Sequence, residues 1–349
     1  MKNRNEHKKE IISALTEAQK LAFAPLTFHA IASMLDLGIL KAIDEAPQTI
    51  NSLKEKLELS EYAVNTLLEI GEVAGILKRH ENNYAITSVG QDFLYDDMTI
   101  VNFNFVKDVC YSGAEKLTDS FKNAKPEGLK CLFPNAETIY PYLSKLPDKM
   151  RKSWYEFDHF YSDNCFDIIS QTILSSPKIF DIGGNTGIFE RLCLKKNPEI
   201  DITMIDLKEN IDFIKDDKEL ENCKFHAANI LDEKSTLPQM SGAILMSQFL
   251  DCFSKEQIVF ILKRLIKSSD KEIKIYILEP FIDKQKFAGA KHALTHISLY
   301  FTCMANGCSK IYSFEDMSSL IESAGLKISK VYDNIGAHDY TLLECIKND

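Results

Sequence analysis

The chain has 349 residues, 45% hydrophobic and 26% charged, with 14 glycines and 10 prolines, a composition that excludes a collagen-like or disordered protein. Asp and Glu number 51 against 41 Lys and Arg, for a net charge of -10, so a phosphate backbone is repelled on average and nucleic acid is not expected as a partner. Nine cysteines without CxxC or zinc-ligand spacing fit reduced thiols packed as small hydrophobes, which places the protein in the cytoplasm and predicts no metal site.

The basic start, MKNRNEHKKE, leads into an apolar run too short for an export signal, and none is expected. Residues 18–40 are the most apolar stretch, yet Lys20, Pro25, His29 and Asp36 interrupt it, so no membrane partner is expected. The pattern over residues 10–95 is helical, with breaks predicted at Pro25, Gly38, Pro47 and Gly75. Within it TINSLKEKLELS and then SEYAVNTLLEIGEVAGILKRHENNYAITSVGQDFL read as helix, turn, helix and a small hairpin turning at residues 81–83, the order of a winged helix. A DNA-reading helix at residues 60–70 would need cations, but this one carries Glu61 and Glu69 and no Lys or Arg. The better reading is a dimerisation and substrate-covering module. A face of Leu26, Ile31, Met34, Leu35 and Leu37 needs a partner surface, which a second copy of the chain supplies in a homodimer.

Residues 96–150 give only weak helical and loop signals. From Arg151 an amphipathic helix, KSWYEFDHFYSDNCFDIISQTIL, precedes short β-rich runs: KIFDIGG, DITMIDL, CKFHAAN, GAILMSQFL, IKIYILEP, KISKVYDN and DYTLLECI. Helical patterns alternate with the first five, which predicts a doubly wound, mostly parallel α/β sheet; the last two, joined by a short turn, read as an antiparallel hairpin at its edge. The expected organisation is 1–100 as winged-helix domain, 101–150 as helical linker region and 151–349 as catalytic domain.

The chemistry gathers where the first of these strands ends in Phe180-Asp181-Ile182-Gly183-Gly184-Asn185-Thr186-Gly187 and runs into a helix. Glycines there let backbone approach a ligand while a helix N-terminus presents free N–H groups. The next strand ends in Asp206, placed to accept both hydroxyls of a ribose. A dinucleotide enzyme would prefer GxGxxG, whereas these glycines sit at 183, 184 and 187 behind Asp181. An acid in that place disfavours a pyrophosphate and suits a cation, so S-adenosylmethionine, with an ammonium, a sulfonium and no phosphate, is favoured over NAD.

This order of features resembles the small-molecule O-methyltransferases of the caffeate, acetylserotonin and bacterial polyketide type, over nearly the whole chain. LDLGIL and YAITSVGQDFL in the front domain, SWYEFDHFYSD before the glycine strand and YILEP at the fifth strand add to the match. The resemblance implies a seven-stranded Rossmann-like methyltransferase sheet behind a winged-helix dimerisation domain. It also implies a homodimer, S-adenosylmethionine as cofactor and an aromatic small-molecule acceptor. Carried over residue by residue, the cofactor contacts would be Asp181, Gly183, Gly184, Asn185 and Gly187 on the turn, then Asp206 and Leu207. Asn229 stands near the adenine where the family usually has Asp, followed by Ile230, and Ser247 and Gln248 stand at the end of the fourth strand. The acceptor would meet Trp154, Phe157, Tyr161, His292, His296, Met304 and Asn306.

At the base the sequence departs from the family, whose loop after the fourth strand reads Leu-His-Asp-Trp; here it reads Leu250-Asp251-Cys252-Phe253, and the histidine's place is taken by Asp251. A family acid further on maps loosely to Ser309, while the acid after the fifth strand is kept as Glu279. In a partly dry pocket, Asp251 close to Glu279 would have its proton affinity raised, and the pair is the candidate base. The competing reading of Asp251 is a plain loop acid, with Ser254 and Gln257 capping the following helix. His292 and His296, four apart, share a helix face but lack a third metal ligand. The missing histidine leaves two rivals to O-methylation: C-methylation of an electron-rich ring, and a cofactor-binding regulator without chemistry.

Overall fold

The computed structural model describes residues 2–348, with side chains from residue 9 onward, so most of the basic N-terminal run lies outside the described side chains. It divides into two units, Met1–Phe103 and Asn104–Asp349. The first opens with helix α1 (Lys2–Asp36) and continues through α2 (Ile39–Glu45), α3 (Ile50–Leu57), α4 (Glu61–Val73), strands β1 (Leu77–His80) and β2 (Asn83–Ile86), α5 (Ser88–Tyr95) and most of α6 (Asp97–Phe105). β1 and β2 pair antiparallel behind α3 and α4, which is the helix-turn-helix and hairpin order the sequence predicts. The break expected at Pro25 does not occur: α1 runs through it. A proline forfeits one helical hydrogen bond, but Leu21, Ala22, Ala24 and Leu26 around it are strong helix formers that carry the helix past the defect. The expected partner-seeking face also divides. Ile31 and Met34 are buried in the unit's own core with Ile39, Leu40, Leu53 and Leu68, and Leu35 packs against it, whereas Leu26 and Leu37 stay exposed, as does Leu21 outside that face. Among the described residues no single helix is long and apolar enough to cross a membrane.

In the second unit, short helices α7 (Tyr111–Ala114) and α8 (Leu117–Asn123) precede the long α9 (Asp148–Ile173). Then β3 (Lys178–Ile182), α10 (Ile188–Lys196), β4 (Asp201–Asp206), α11 (Lys208–Ile214), β5 (Lys224–Ala227), β6 (Ala243–Ser247), α12 (Lys255–Lys267) and β7 (Lys274–Glu279) alternate. Helices α13 (Ala288–Tyr300) and α14 (Phe314–Ser323) lead to β8 (Leu326–Ile335) and β9 (Tyr340–Lys347). The seven strands β3–β9 form one sheet in the order β5-β4-β3-β6-β7-β9-β8, parallel except for β9, which enters antiparallel between β7 and β8. The predicted sheet and its C-terminal hairpin are thus both present.

β3, β6 and β7 are buried on both faces, which is why they read as unbroken apolar runs rather than alternating ones. α12 shows how local sequence sets an element: the Ser254 hydroxyl accepts the Gln257 N–H while the Gln257 side chain accepts the Ser254 N–H, and Ile258, Ile261, Leu262 and Leu265 then face the sheet. Ser254→Ala is expected to cost about 1 kcal/mol, read as a lower urea midpoint at unchanged slope.

Candidate active site

The chain reverses winding direction between β3 and β6, and there the C-terminal strand ends leave a crevice, the usual place for a ligand in an open α/β sheet. A cavity of about 1130 Å³ occupies it. Asp181 in β3 with Gly183, Gly184 and Asn185 after it, Asp206 at the end of β4 with Leu207 after it, Asn229 and Ile230 after β5, and Ser247 and Gln248 at the end of β6 all line it. Gly187 does not; its left-handed backbone (φ 78°) starts α10, and a Cβ there would stand 2.8 Å from Leu220.

Three donors hold the Asp206 carboxylate: the Asn185 N–H at 3.0 Å, the Leu207 N–H at 2.6 Å and the Asn210 amide at 2.8 Å. Burial raises its proton affinity, and these hydrogen bonds oppose that rise. Gly183 turns with φ 82°, and a Cβ on it would lie 2.3 Å from the Phe249 ring, so only glycine lets the turn close against the loop after β6. The side-chain oxygen of Asn229 accepts the Leu231 N–H at 2.9 Å, which fixes its amide at the cavity edge.

Asp181 reaches the cavity but is not alone. Its carboxyl meets Glu190 of α10, fully buried, and burial pushes Asp181 up to about 7 and Glu190 well above the usual carboxylate range. Both acids are buried behind the glycine turn, and neither Glu190 oxygen has a hydrogen-bond partner among the described residues. A Cβ on Gly184 would stand 2.6 Å from Glu190 Oε1, so a side chain there would displace the Glu190 carboxyl. At the end of β6, Ser247 Oγ and Gln248 Nε2 are buried without a protein partner among the described residues, while Gln248 Oε1 accepts the Tyr340 hydroxyl at 2.7 Å. Orphaned polar atoms on a cavity wall are unfavourable unless a ligand meets them.

A second, smaller pocket adjoins the first and shares Tyr140, Trp154, Asp158, Gln248 and Cys252 with it. Trp154, Phe157 and Tyr161 of α9 line it, as expected, and Asn306 lines the larger cavity, where its amide holds Tyr140, Ser309 and the Cys252 carbonyl. Asp251 lines this pocket from the short helical turn after β6. Burial, and then the charge of Asp158, push its carboxyl up to about 7, opposed by the Cys252 thiol, which donates to it at 3.4 Å. The cap of α12 is Ser254, so Asp251 is not needed for that task.

Besides Gly187, four expected site residues lie elsewhere. Glu279 lines neither cavity: its Oε1 accepts the Phe249 and Leu250 N–H groups at 3.2 and 2.9 Å, so it braces the Asp251 loop from behind. Burial and then Asp251 raise its proton affinity well above the usual carboxylate range. His292 and His296 do share a helix face, their rings 4.1 Å apart, but that face is exposed; Leu294, Ile297 and Tyr300 present the pocket side of α13. Met304 is fully buried against Gly113 rather than facing the acceptor pocket. Sequence alone does not single out Asp158 or Glu190. Asp158 lines both cavities and accepts the Asn185 amide at 2.8 Å, and burial pushes it up to about 6. The signal for it is its spacing: Trp154, Asp158 and Tyr161 at i, i+4 and i+7 share one helix face.

Among solved structures, the mitomycin 7-O-methyltransferase MmcR matches at TM-score 0.70 and 17% identity, over 98% of this chain and all of that one. Human N-acetylserotonin methyltransferase in complex with SAM matches at TM-score 0.64 and 16% identity, over 96% and 98%. NcsB1 from neocarzinostatin biosynthesis, with S-adenosylmethionine and 2-hydroxy-5-methyl naphthoic acid, matches at 0.66 and 17%, over 92% and 96%. At these identities the likeness is one of fold. No curated protein sequence matches the chain significantly. The Dimerisation2-like domain family matches residues 16–84, and the O-methyltransferase domain family matches residues 115–327. With more than half of its length matched by that second family, the chain belongs to the S-adenosylmethionine-dependent O-methyltransferases, and neither ring C-methylation nor a role without chemistry is favoured.

Proposed function

We propose that this enzyme methylates a hydroxyl of an aromatic or polyketide-like small molecule, as a cytoplasmic homodimer without nucleic-acid or membrane partners. The observation that carries the reading is the junction of the two cavities: the crevice over β3 and β4 opens beside an aromatic-walled pocket that holds Asp251 at the position of the family's histidine. Similar structures support the acceptor class, since NcsB1 is described with a naphthoic acid carrying a hydroxyl and MmcR as a mitomycin 7-O-methyltransferase.

When bound, S-adenosylmethionine supplies an electrophilic methyl group on a positively charged sulfur. The residues fit it. Asp206 would take the ribose hydroxyls, the Gly183 and Gly184 backbone and Ser247 would hold the methionine end, and Asn229 and Ile230 would flank the adenine. Trp154, Phe157 and Tyr161 wall the acceptor and exclude water, and holding it in line contributes up to about 7–11 kcal/mol of the barrier. Asp251 accepts the hydroxyl proton. At about 7 its carboxyl lies much nearer a phenol, at about 10, than a solvated aspartate does. Glu279 is a positioning residue for that loop. All nine cysteines are free thiols, in keeping with a reducing compartment.

Incubation with methyl-labelled S-adenosylmethionine and a panel of phenols and catechols tests this. The expected result is label in an O-methyl product with S-adenosylhomocysteine formed in step; label on ring carbon, or none on any acceptor, overturns it. For assembly, sedimentation is expected at twice 39.7 kDa. Leu21→Glu, on an exposed apolar side chain of α1, is expected to shift it to the monomer mass, and an unchanged dimer removes α1 from the interface.

A further inference from the structure

The acceptor pocket has an unusual charge balance. Asp158 and Asp251 both line it, and none of its lining residues is Lys, Arg or His. Among the described residues neither aspartate has an ion-pair partner: Asp158 accepts an amide and Asp251 a thiol. His159, the nearest titratable cation to Asp158, lines only the cofactor cavity and leans on Asp163 at 3.4 Å. Carboxylates enclosed among rings without a cation are costly to maintain.

One hydroxyl acceptor satisfies one carboxylate, the proton acceptor Asp251; Asp158, whose Oδ2 accepts the Asn185 amide, still has its Oδ1 to offer a second group. Trp154 and Tyr161 flank it on α9, one turn before and one turn after, and Tyr300 holds the Trp154 indole N–H at 2.7 Å, fixing that ring. A carboxylate beside aromatic faces is the arrangement that recognises an organic cation. A carboxylate-bearing acceptor would instead add a third negative charge to the same enclosure.

We propose that the acceptor is an aromatic molecule carrying a basic nitrogen, with its ammonium held by Asp158 against the Trp154 and Tyr161 rings and its hydroxyl directed to Asp251. This rests on the methyl-transfer reading above and names the substrate class of that same pocket. Sinefungin-loaded full-length enzyme, which keeps a positive charge where the sulfonium would be, is titrated calorimetrically with tyramine, 4-ethylphenol and 3-(4-hydroxyphenyl)propionate. Tyramine is expected to bind at least tenfold more tightly than the propionate, with the neutral phenol between them. Asp158→Asn is expected to weaken tyramine at least tenfold, to the level of 4-ethylphenol, with sinefungin affinity within threefold of wild type.

Equal or tighter binding of the propionate, or binding of none of the three, overturns the proposal. So does an Asp158→Asn variant that weakens all three alike or loses sinefungin instead, which would assign Asp158 to the cofactor. Failure of the methyltransferase reading is separate: wild-type enzyme would then bind neither sinefungin nor S-adenosylmethionine.

Discussion

Asp206→Asn is expected to raise the dissociation constant of S-adenosylmethionine by about 100-fold or more. Each hydrogen bond from a hydroxyl to an ionised carboxylate contributes about 1.5–3 kcal/mol; the amide turns one accepting oxygen into a donor and takes the charge from the other, so about 3 kcal/mol of binding is removed. The amide cannot repair the loss. Asp206 Oδ1 already accepts two donors and Oδ2 a third, so an NH2 at either position faces an N–H. The same clash lowers thermal stability, so affinity is measured by calorimetry well below the variant's midpoint. Because the ribose is common to substrate and product, S-adenosylmethionine and S-adenosylhomocysteine are expected to weaken by the same factor. A variant that loses only the charged form would reassign Asp206 to the methionine end, and affinity within threefold of wild type would remove it from the cofactor site.

How far the sequence carries the reader depends on whether a feature is local. The central strands are legible because burial on both faces leaves runs such as IKIYILEP nearly free of polar residues, and the α12 cap is legible because Ser254 and Gln257 satisfy each other within three residues. The acids at strand ends are legible for the same reason: Asp181 and Asp206 are fixed by the turns that follow them. What the sequence hides is set across the fold. Asp158 stands on a 26-residue helix with several other acids, and only the seating of α9 over the glycine turn brings it to Asn185. Glu190 reads as an ordinary first-turn acid of α10, yet the close approach of β3 buries it against Asp181. His292 and His296 show the reverse error, since periodicity puts them on one face without saying which face of α13 meets the core.

Asp251→Asn is expected to lower kcat by about 10² to 10⁴ while S-adenosylmethionine affinity stays within about threefold, because a positioned proton acceptor typically contributes that much and the residue lies outside the cofactor cavity. The pH dependence distinguishes this from a packing defect. Wild-type turnover should rise with pH through about 7 as Asp251 ionises, and the variant should lose that limb. Stability should move oppositely. The carboxyl's proton affinity is higher in the folded protein than in the unfolded chain, so the folded state binds the extra proton, and the stability this contributes is full below about 4 and lost as pH rises through about 7. The asparagine variant, with no charge to bury, should match wild type near pH 4 and exceed its denaturation midpoint at pH 8. Glu279→Gln keeps an acceptor for the Phe249 and Leu250 N–H groups, and the Asp251 shift comes from burial and Asp158, so the variant should retain most turnover and leave the Asp251 limb near its wild-type position. Turnover by Asp251→Asn at the wild-type rate with the acidic limb intact would show that proton removal is not carried by this carboxylate, and that alignment between the aromatic walls is sufficient for the reaction.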